Sequence, residues 1–338
     1  MLSRRRLIGG SVATGALLYV GESLAEARKS FTRVDFEVPP GACDCHVHVI
    51  GDPAQYPLSG ARTYTPPIAL PAQLARLHRA LGISRVVIVT PSVYGTDNSA
   101  TLWAMRTLGA SARAVAVIDE QTSEQQLDAM HRAGVRGARL NLTVGATDAQ
   151  SAQQRFAELA RRLSSRNWHV QIFTTPDIVA ALKDAVLNAS VPVVFDHFGG
   201  ARGELGVAQP GFVALLQLLE SGKAYVKISA AYRLSTQAPN FQDMGVLARA
   251  LIRTRADRIL WGTDWPHPNS ASGLGAQTLS PAINVDDAHL LNLFGDWVPE
   301  KALRQQILVD NPARLYDFPS VQVSARLAGL ARASASLP

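Results

Sequence analysis

The chain has 338 residues, of which 47% are hydrophobic and 18% charged, and its formal net charge at pH 7 is +6. This composition is typical of a globular protein with a large apolar core, and it excludes a disordered or fibrous chain. Basic residues form no cluster beyond the extreme N-terminus, so we expect no nucleic-acid partner. The modest positive charge favours small anionic molecules as partners instead.

The N-terminal segment resembles a twin-arginine export signal. Arginines at positions 4–6 precede a moderately apolar run, and small residues suited to cleavage follow at Ala25 and Ala27. We expect removal of residues 1–27 and a periplasmic protein that does not stay on the membrane. The alternatives are a cytoplasmic protein and an uncleaved anchor, although the apolar run is shorter than the roughly 20 residues that span a bilayer.

Beyond residue 40, short β-branched runs alternate with amphipathic segments. The runs predict strands at 43–49, 85–90, 113–118, 136–142, 169–174, 192–197, 225–229 and 258–263. Apolar residues three and four apart predict helices at 71–81, 98–109, 123–133, 150–166, 177–188, 210–221, 242–256 and 300–309. This alternation predicts a single-domain α/β protein, a (β/α)₈ TIM barrel over residues 40–318. A doubly wound sheet is the alternative, but no Gly-rich phosphate turn follows the first strand.

Three segments interrupt or follow this pattern. Residues 50–70, rich in Pro and Gly, predict a long loop above the first strand, and residues 268–296 predict a second long insertion after the eighth. The Ala- and Ser-rich tail at 319–338 predicts a loose terminal helix or a disordered end.

The first strand contains the sequence CDCHVH at 43–48. Side chains alternate between the faces of a strand, so we expect Asp44, His46 and His48 on one face, with Cys43 and Cys45 on the other. Two histidines in one cavity can ligate a metal or hydrogen-bond a substrate. The cysteines lie too far apart along an extended strand for a disulfide, so we expect them to be buried as small apolar residues.

Polar residues gather where the predicted strands end, and the active sites of such barrels lie at those carboxyl ends. We expect functional roles there for His46, His48 and Asp264, and anion binding for Arg139. The other polar residues at these ends are Asn141, Asp196, His197, Lys227, Ser229, Tyr232, Arg233, Trp265 and His267.

Several of these residues have plain structural alternatives. Asp196 precedes His197 in a strand and is expected to face away from it, so we assign it a structural role. Trp265 and His267 are expected to anchor a loop. Lys227 is either a packing residue or a carboxylate partner. Tyr232 and Arg233 fit either a substrate rim or a solvated loop.

The segments DCHVHVIGDPAQYPL, RGARLNL, VVFDHFGG, YVKISAAYR and RILWGTDWPHPN resemble the amidohydrolase superfamily. They are most similar to the branch that contains 2-pyrone-4,6-dicarboxylate lactonase and sugar-lactone enzymes. The resemblance covers residues 40–318 and implies a distorted (β/α)₈ barrel. It also implies that His46, His48 and His197 surround the scissile carbonyl and that Asp264 is the acid and base.

The resemblance does not decide whether the protein binds a metal, so we consider the residues that could ligate one. Many amidohydrolases bind zinc with additional ligands on strands four and five, where this chain has Arg139, Phe173 and Thr174. Arginine cannot ligate a metal. Three imidazoles and a carboxylate can still hold one Zn²⁺. Because the lactonase branch works without metal and Arg139 would oppose a divalent cation, we expect no cofactor.

The residues and the resemblance together predict a metal-independent hydrolase that opens a carboxylated lactone. Asp264 would activate water, and the three histidines would donate to the carbonyl oxygen. Arg139 and Arg233 would bind the substrate carboxylate. Further substrate contacts are expected from Asn141, Lys227 and Tyr232.

One position departs from the pattern, since Gly145 stands where a second carboxylate-binding arginine is expected. This favours a monocarboxylate or polyhydroxy lactone over a dicarboxylate. The alternatives are a sugar-lactone isomerase, a zinc-dependent amidohydrolase or decarboxylase, and an exported barrel that binds a sugar acid without turnover.

Overall fold

The computed structural model describes residues 32–143, 148–270 and 273–319. From Val34 onward these residues belong to one compact unit. The expected signal at 1–27, Gly145 and nearly all of the tail lie outside the described residues. Within the described residues, no helix has the length and apolar character needed to cross a bilayer.

Eight parallel strands form one sheet in chain order, which confirms the predicted barrel. The strands are β1 (Cys43–Val47), β2 (Arg85–Val89), β3 (Ala112–Ala116), β4 (Val135–Asn141), β5 (His169–Phe173), β6 (Val193–Phe195), β7 (Ala224–Ser229) and β8 (Ile259–Gly262). A parallel bridge between Val47 and Trp265 joins the last strand's end to β1, so the barrel is nearly closed.

Helices connect the strands, as the apolar periodicity predicts. They are α1 (Pro71–Leu81), α2 (Ser99–Leu108), α3 (Glu124–Ala133), α4 (Ala149–Leu163), α5 (Pro176–Leu187), α6 (Pro210–Glu220), α7 (Ala231–Leu234), α8 (Gln242–Arg255), α9 (Asp287–Trp297), α10 (Lys301–Gln305) and α11 (Asn311–Tyr316). Local signals set several ends. Ser123 forms a capping box before α3, and Asp148 caps α4 through the Ser151 N–H.

Two predictions near the C-terminus need correction. The insertion expected at 268–296 contains α9, which Asp286 caps. Its apolar residues are buried on more than one side, so the sequence lacks the one-sided periodicity of a surface helix. The helix expected at 300–309 is present but continues to Tyr316, with a π-helical stretch at Gln306–Asp310 between α10 and α11.

Buried apolar side chains form three clusters. The largest fills the space between the strands and the helices, and a smaller cluster fills the lower barrel interior. The third includes Ile50, Val93 and Tyr94. Cys43 and Cys45 are buried as free thiols, as we expected, but they lie in the interior cluster and not on the face opposite the histidines. At the bottom, Phe318 lies under the guanidinium of Arg113, and its ring centroid is 4.5 Å from that group.

Arginines at the starts of three strands hold the chain below the barrel. Arg85 donates to the Pro319 carbonyl, Arg113 donates to the Tyr316 carbonyl, and Arg136 pairs with Asp317. This arrangement closes the end of the barrel opposite the carboxyl ends of the strands.

The expected alternation along β1 is wrong in the first half of the strand, where Cys43 and Cys45 lie inward and Asp44 lies outward. The β1–β2 register shifts between Asp44 and Val47. Asp44 Oδ2 faces the helix layer, where it lies 3.2 Å from His78 Nε2 on α1, while Asp44 Oδ1 accepts the His46 N–H. A bulge places two successive residues, Cys45 and His46, on the inward face, so Asp44 does not share that face with His46 and His48.

Candidate active site

Three consecutive strands end in residues with left-handed backbone conformations. His197 follows β6 with φ 48°, Ala230 follows β7 with φ 54°, and Asp264 follows β8 with φ 66°. Such values are uncommon for residues other than glycine and are concentrated at functional sites. Each turn redirects the chain at the barrel mouth, which places His197 and Asp264 toward the axis.

The turn after β6 also explains the second glycine of VVFDHFGG, Gly200. A Cβ on Gly200 would lie 2.5 Å from the Thr174 carbonyl oxygen, and Gly200 has φ +77°. A glycine is therefore required where the chain passes over the end of β5.

Asp264 Oδ1 is the point on which three imidazoles converge. It lies 3.7 Å from Nε2 of His46, of His48 and of His197. None of the four side chains is more than 5% exposed. The structure thus brings together the four residues that the sequence predicted as catalytic.

The other oxygen of Asp264 is occupied. Asp264 Oδ2 accepts hydrogen bonds from Tyr232 Oη at 2.7 Å and Arg233 Nε at 2.9 Å. Arg233 also donates to the Pro268 carbonyl. Tyr232 and Arg233 are therefore not a solvated loop, since both hold the central carboxylate.

These neighbours set the charge of Asp264. Burial alone would raise the pKa of the carboxyl group, but Arg233 and the three histidines more than offset burial and hold the pKa well below its usual value. Asp264 is accordingly ionised at neutral pH. Burial also raises the pKa of Tyr232, and the neighbouring Asp264 charge raises it further, so the phenol stays protonated.

The histidines are neutral, and their other nitrogens have fixed partners. Burial lowers the pKa of His46 and of His197, and it lowers the pKa of His48 to about 4. His48 Nδ1 lies 2.8 Å from the Val89 carbonyl, which only accepts. The proton of neutral His48 is thus on Nδ1, and its Nε2 presents a lone pair to the centre.

His46 Nδ1 has two charged neighbours. It lies 3.1 Å from Asp196 Oδ1, which only accepts, and 3.3 Å from Lys227 Nζ, which only donates, so these contacts allow either tautomer. The Nε2 of His46 has no hydrogen-bond partner among the described residues. His197 Nδ1 pairs with the Ser229 hydroxyl, which can donate or accept. The expected donation from all three histidines to a carbonyl oxygen is therefore incompatible with neutral His48, and an Nδ1-protonated His46 has the same restriction.

A buried ionic network lies beneath this centre, and Asp196 is its anion. Asp196 Oδ2 accepts from Arg139 Nε at 3.1 Å and Gln171 Nε2 at 3.0 Å, and Lys227 Nζ lies 3.3 Å from Oδ1. Burial would raise the pKa of Asp196, but Lys227, His46 and Arg139 lower it well below its usual value.

The structure corrects the role expected for Asp196 and decides between the two alternatives for Lys227. Asp196, expected to be merely structural, contacts His46 directly, and Lys227 proves to be the carboxylate partner. Burial lowers the pKa of Lys227, and Asp196 opposes that effect. Gln171, which accepts from Lys227 at 2.7 Å, was not anticipated because it lies within an apolar strand.

The donor set at the centre fits one divalent metal ion. One nitrogen each from His46 and His48 and one Asp264 oxygen lie within 4.8 Å of one another. In a tetrahedral zinc site with bonds of about 2.1 Å, ligand atoms lie roughly 3.4 Å apart, close to the separations from Asp264 Oδ1. Because Arg139 is paired with Asp196, its charge opposes an ion less than we expected. Our expectation of no cofactor is thus not confirmed.

A cavity of about 250 Å³ opens above the centre. Arg139, Asn141 and Arg233 line it, as predicted, beside His48, His197 and Asp264. The guanidinium of Arg139 also lies 5.1 Å from the Phe173 ring centroid. Lining residues that the sequence did not single out include Thr63, Tyr64 and Ser92.

The loop after β8 anchors the mouth, as expected for Trp265. Its carbonyl accepts the His48 N–H at 2.7 Å, and its ring packs against the apolar core. This bond holds the end of β1 beside Asp264.

The sequence and the structure of the chain are similar to those of several known proteins. The amidohydrolase family matches residues 43–318. A 4-sulfomuconolactone hydrolase of Hydrogenophaga intermedia is 34% identical, and the match covers 83% of this chain and 90% of that one. A 2-pyrone-4,6-dicarboxylate hydrolase of Comamonas testosteroni is also 34% identical, with 84% and 93% covered. A solved structure of a probable 2-pyrone-4,6-dicarboxylic acid hydrolase from Acinetobacter baumannii, with citric acid bound, has a TM-score of 0.69 at 25% identity, with 82% and 100% covered.

Proposed function

Because the chain belongs to the amidohydrolase family, we propose that it is a hydrolase that opens the ring of an anionic lactone. The observation that supports this most directly is the convergence of three imidazole nitrogens on the free oxygen of an ionised carboxylate. The names of its relatives, which include two kinds of lactone hydrolase, support the same reaction.

The proton transfers of this reaction fall to Asp264. Its Oδ2 is held by Tyr232 and Arg233, so only Oδ1 is available to accept a proton from the attacking water. The low pKa of Asp264 makes the protonated form short-lived and a ready donor to the departing alkoxide. Attack and ring opening can therefore use one carboxylate in succession.

His46, His48 and Asp264 would hold a divalent ion, with His197 beside it. When bound, the ion supplies a Lewis acid for the lactone carbonyl and lowers the pKa of a water molecule. Asp196 and the Val89 carbonyl keep the Nε2 atoms of His46 and His48 directed at the centre. We thus favour a metal-assisted reaction over the metal-independent one that the sequence led us to expect.

Arg139 can bind the carboxylate of an anionic substrate. The Nε of Arg139 is bound to Asp196, and no hydrogen bond within the described residues uses its two terminal nitrogens. These nitrogens can form a forked pair with a substrate carboxylate. The citrate-bound relative is consistent with carboxylate binding in such a pocket.

Lactone hydrolysis is testable with a panel of carboxylated and polyhydroxy lactones and continuous titration of released protons. The wild type should release one proton per ring opened, whereas Asp264→Asn should bind the lactone without turnover. A sugar-lactone isomerase would change the NMR spectrum of the lactone without proton release, and a binding protein would do neither. Near-normal kcat in D264N would contradict the role of Asp264.

We also propose export to the periplasm, supported by the arginines at 4–6 and the apolar run that follows. Fractionation of cells that express the full chain should find the protein in the periplasm. Replacement of Arg5 and Arg6 by lysine should retain it in the cytoplasm, and unchanged distribution would contradict export by this route.

A further inference from the structure

A column of three side chains backs Asp264 on the side away from the histidines. Tyr232 Oη lies 2.7 Å from Asp264 Oδ2 and 3.1 Å from His267 Nδ1. His267 Nε2 in turn lies 3.2 Å from Asp287 Oδ1. The Tyr232 and His267 rings meet edge to face, with their centroids 5.4 Å apart. The column links the central carboxylate to the first residue of α9.

The outer pair of the column is buried. His267 is 5% exposed and Asp287 is 8% exposed. Among the described residues, neither His267 Nε2 nor Asp287 Oδ1 has a partner in good hydrogen-bond geometry, although the two atoms lie 3.2 Å apart. Because unpaired buried polar atoms are costly, their approach to 3.2 Å indicates that each serves as the polar neighbour of the other.

The main chain of His267 is fixed as well. His267 has φ 62°, its N–H donates to the Asp264 carbonyl at 2.8 Å, and its carbonyl accepts from the Ile283 N–H at 2.9 Å. A non-glycine residue keeps such a conformation only where its surroundings enforce it. The imidazole is thus fixed behind the Tyr232 hydroxyl by its own backbone and by Asp287.

We propose that Asp287 and His267 are positioning residues, which hold the Tyr232 hydroxyl against Asp264 Oδ2 and leave Oδ1 as the reacting oxygen. This inference rests on the proposed lactone hydrolysis. Neither residue is among the described residues that line the cavity, so they act through Tyr232 and not on the substrate. A small displacement of a reacting group is enough to lower turnover strongly.

The test is a double-mutant cycle on the full chain. Asp287→Ala should lower kcat about tenfold and leave KM nearly unchanged, because only the reacting carboxylate is disturbed. Asp287→Asn should recover most of the loss, since an amide can face the ring nitrogen as donor or acceptor. Tyr232→Phe should also lower kcat, and D287A should have no further effect in the Y232F background.

Asp286→Ala is the matched control. Asp286 caps the same helix through the Ala288 and His289 N–H groups, so D286A should lower the melting temperature without a comparable loss of kcat. Multiplicative effects of D287A and Y232F, or an equal loss of kcat in D286A, would overturn the inference. A wild type that hydrolyses no lactone would instead overturn the proposed function, and this inference with it.

Discussion

Asp196 and His46 face each other inside the barrel, directly beneath the cavity, with Asp196 Oδ1 3.1 Å from His46 Nδ1. A carboxylate that follows β6 thereby fixes the orientation of an imidazole on β1. Carboxylate–histidine pairs of this kind orient metal ligands and increase their basicity. Because Asp196 contacts His46, the buried ionic network beneath the cavity belongs to the candidate active site.

Asp196→Asn should therefore impair the site without altering the cavity lining. The amide removes the negative charge that pairs with His46, Arg139 and Lys227, so kcat or metal affinity should fall roughly 10- to 100-fold. Steady-state kinetics and metal content per chain measure the effect. Asp128→Asn, which removes a half-exposed carboxylate that pairs with Arg166, is the control and should change neither. Wild-type values in D196N would exclude this role.

Arg139→Lys should raise KM for a carboxylated lactone. Lysine keeps the charge but loses the fork, and charge-assisted hydrogen bonds of this kind contribute about 1.5–3 kcal/mol, or roughly 10- to 100-fold in affinity. Arg136→Lys is a control on the same strand, because Arg136 pairs with Asp317 at the opposite end of the barrel. If R139K and R136K have the same KM, then Arg139 does not bind the substrate carboxylate.

Metal-free protein should bind about one equivalent of zinc, because His46, His48 and Asp264 place three donor atoms within 4.8 Å of one another. Calorimetric titration should show this stoichiometry, which His48→Asn should abolish and His131→Asn should preserve, since His131 pairs with Trp168 outside the site. Lactone turnover should fall on chelation and return with zinc. Full activity in the metal-free protein would instead support the metal-independent reaction expected from the sequence.

Replacement of His169 should reduce acid sensitivity. Burial lowers the pKa of His169 to about 3, against about 6.5 in an unfolded chain. Between these values the unfolded state binds a proton that the folded state does not, so the stability of the wild type falls as pH drops below about 6.5.

His169→Phe removes this contribution while it keeps the edge-to-face contact with Tyr316. Neither ring nitrogen of His169 has a hydrogen-bond partner among the described residues, so the aromatic replacement breaks none there. Between pH 6.5 and 4.5, H169F should lose roughly 2 kcal/mol less stability than the wild type, as measured by urea denaturation. Parallel curves for the two proteins would refute the assignment.

The barrel could be predicted because its parallel strands are buried on both faces and appear as short apolar runs. The four central residues could be predicted because carboxyl ends of barrel strands meet at one mouth. What failed was the assumption of regular strands. A bulge turns Asp44 outward, and the left-handed conformation of His197 lets both Asp196 and His197 face the interior.

Contacts made by distant segments could not be predicted. Tyr64 enters the cavity from the loop after β1, and Asp287 approaches His267 only because α9 packs beside the loop after β8. Neither the position of Tyr64 nor the contact between Asp287 and His267 can be recognised from a periodic pattern or a local motif in the sequence. The sequence also could not predict which nitrogen of each imidazole carries the lone pair, since this depends on hydrogen-bond partners such as the Val89 carbonyl.

The arginine contacts below the barrel have a practical consequence for handling the protein. Residues 316–319 are fastened to the starts of β2, β3 and β4, at the opposite end from the cavity. A surface tether or fluorophore joined to Pro319, in a chain shortened to that residue, would therefore begin at the rear of the barrel. Immobilised in that orientation, the protein would keep its substrate entrance unobstructed.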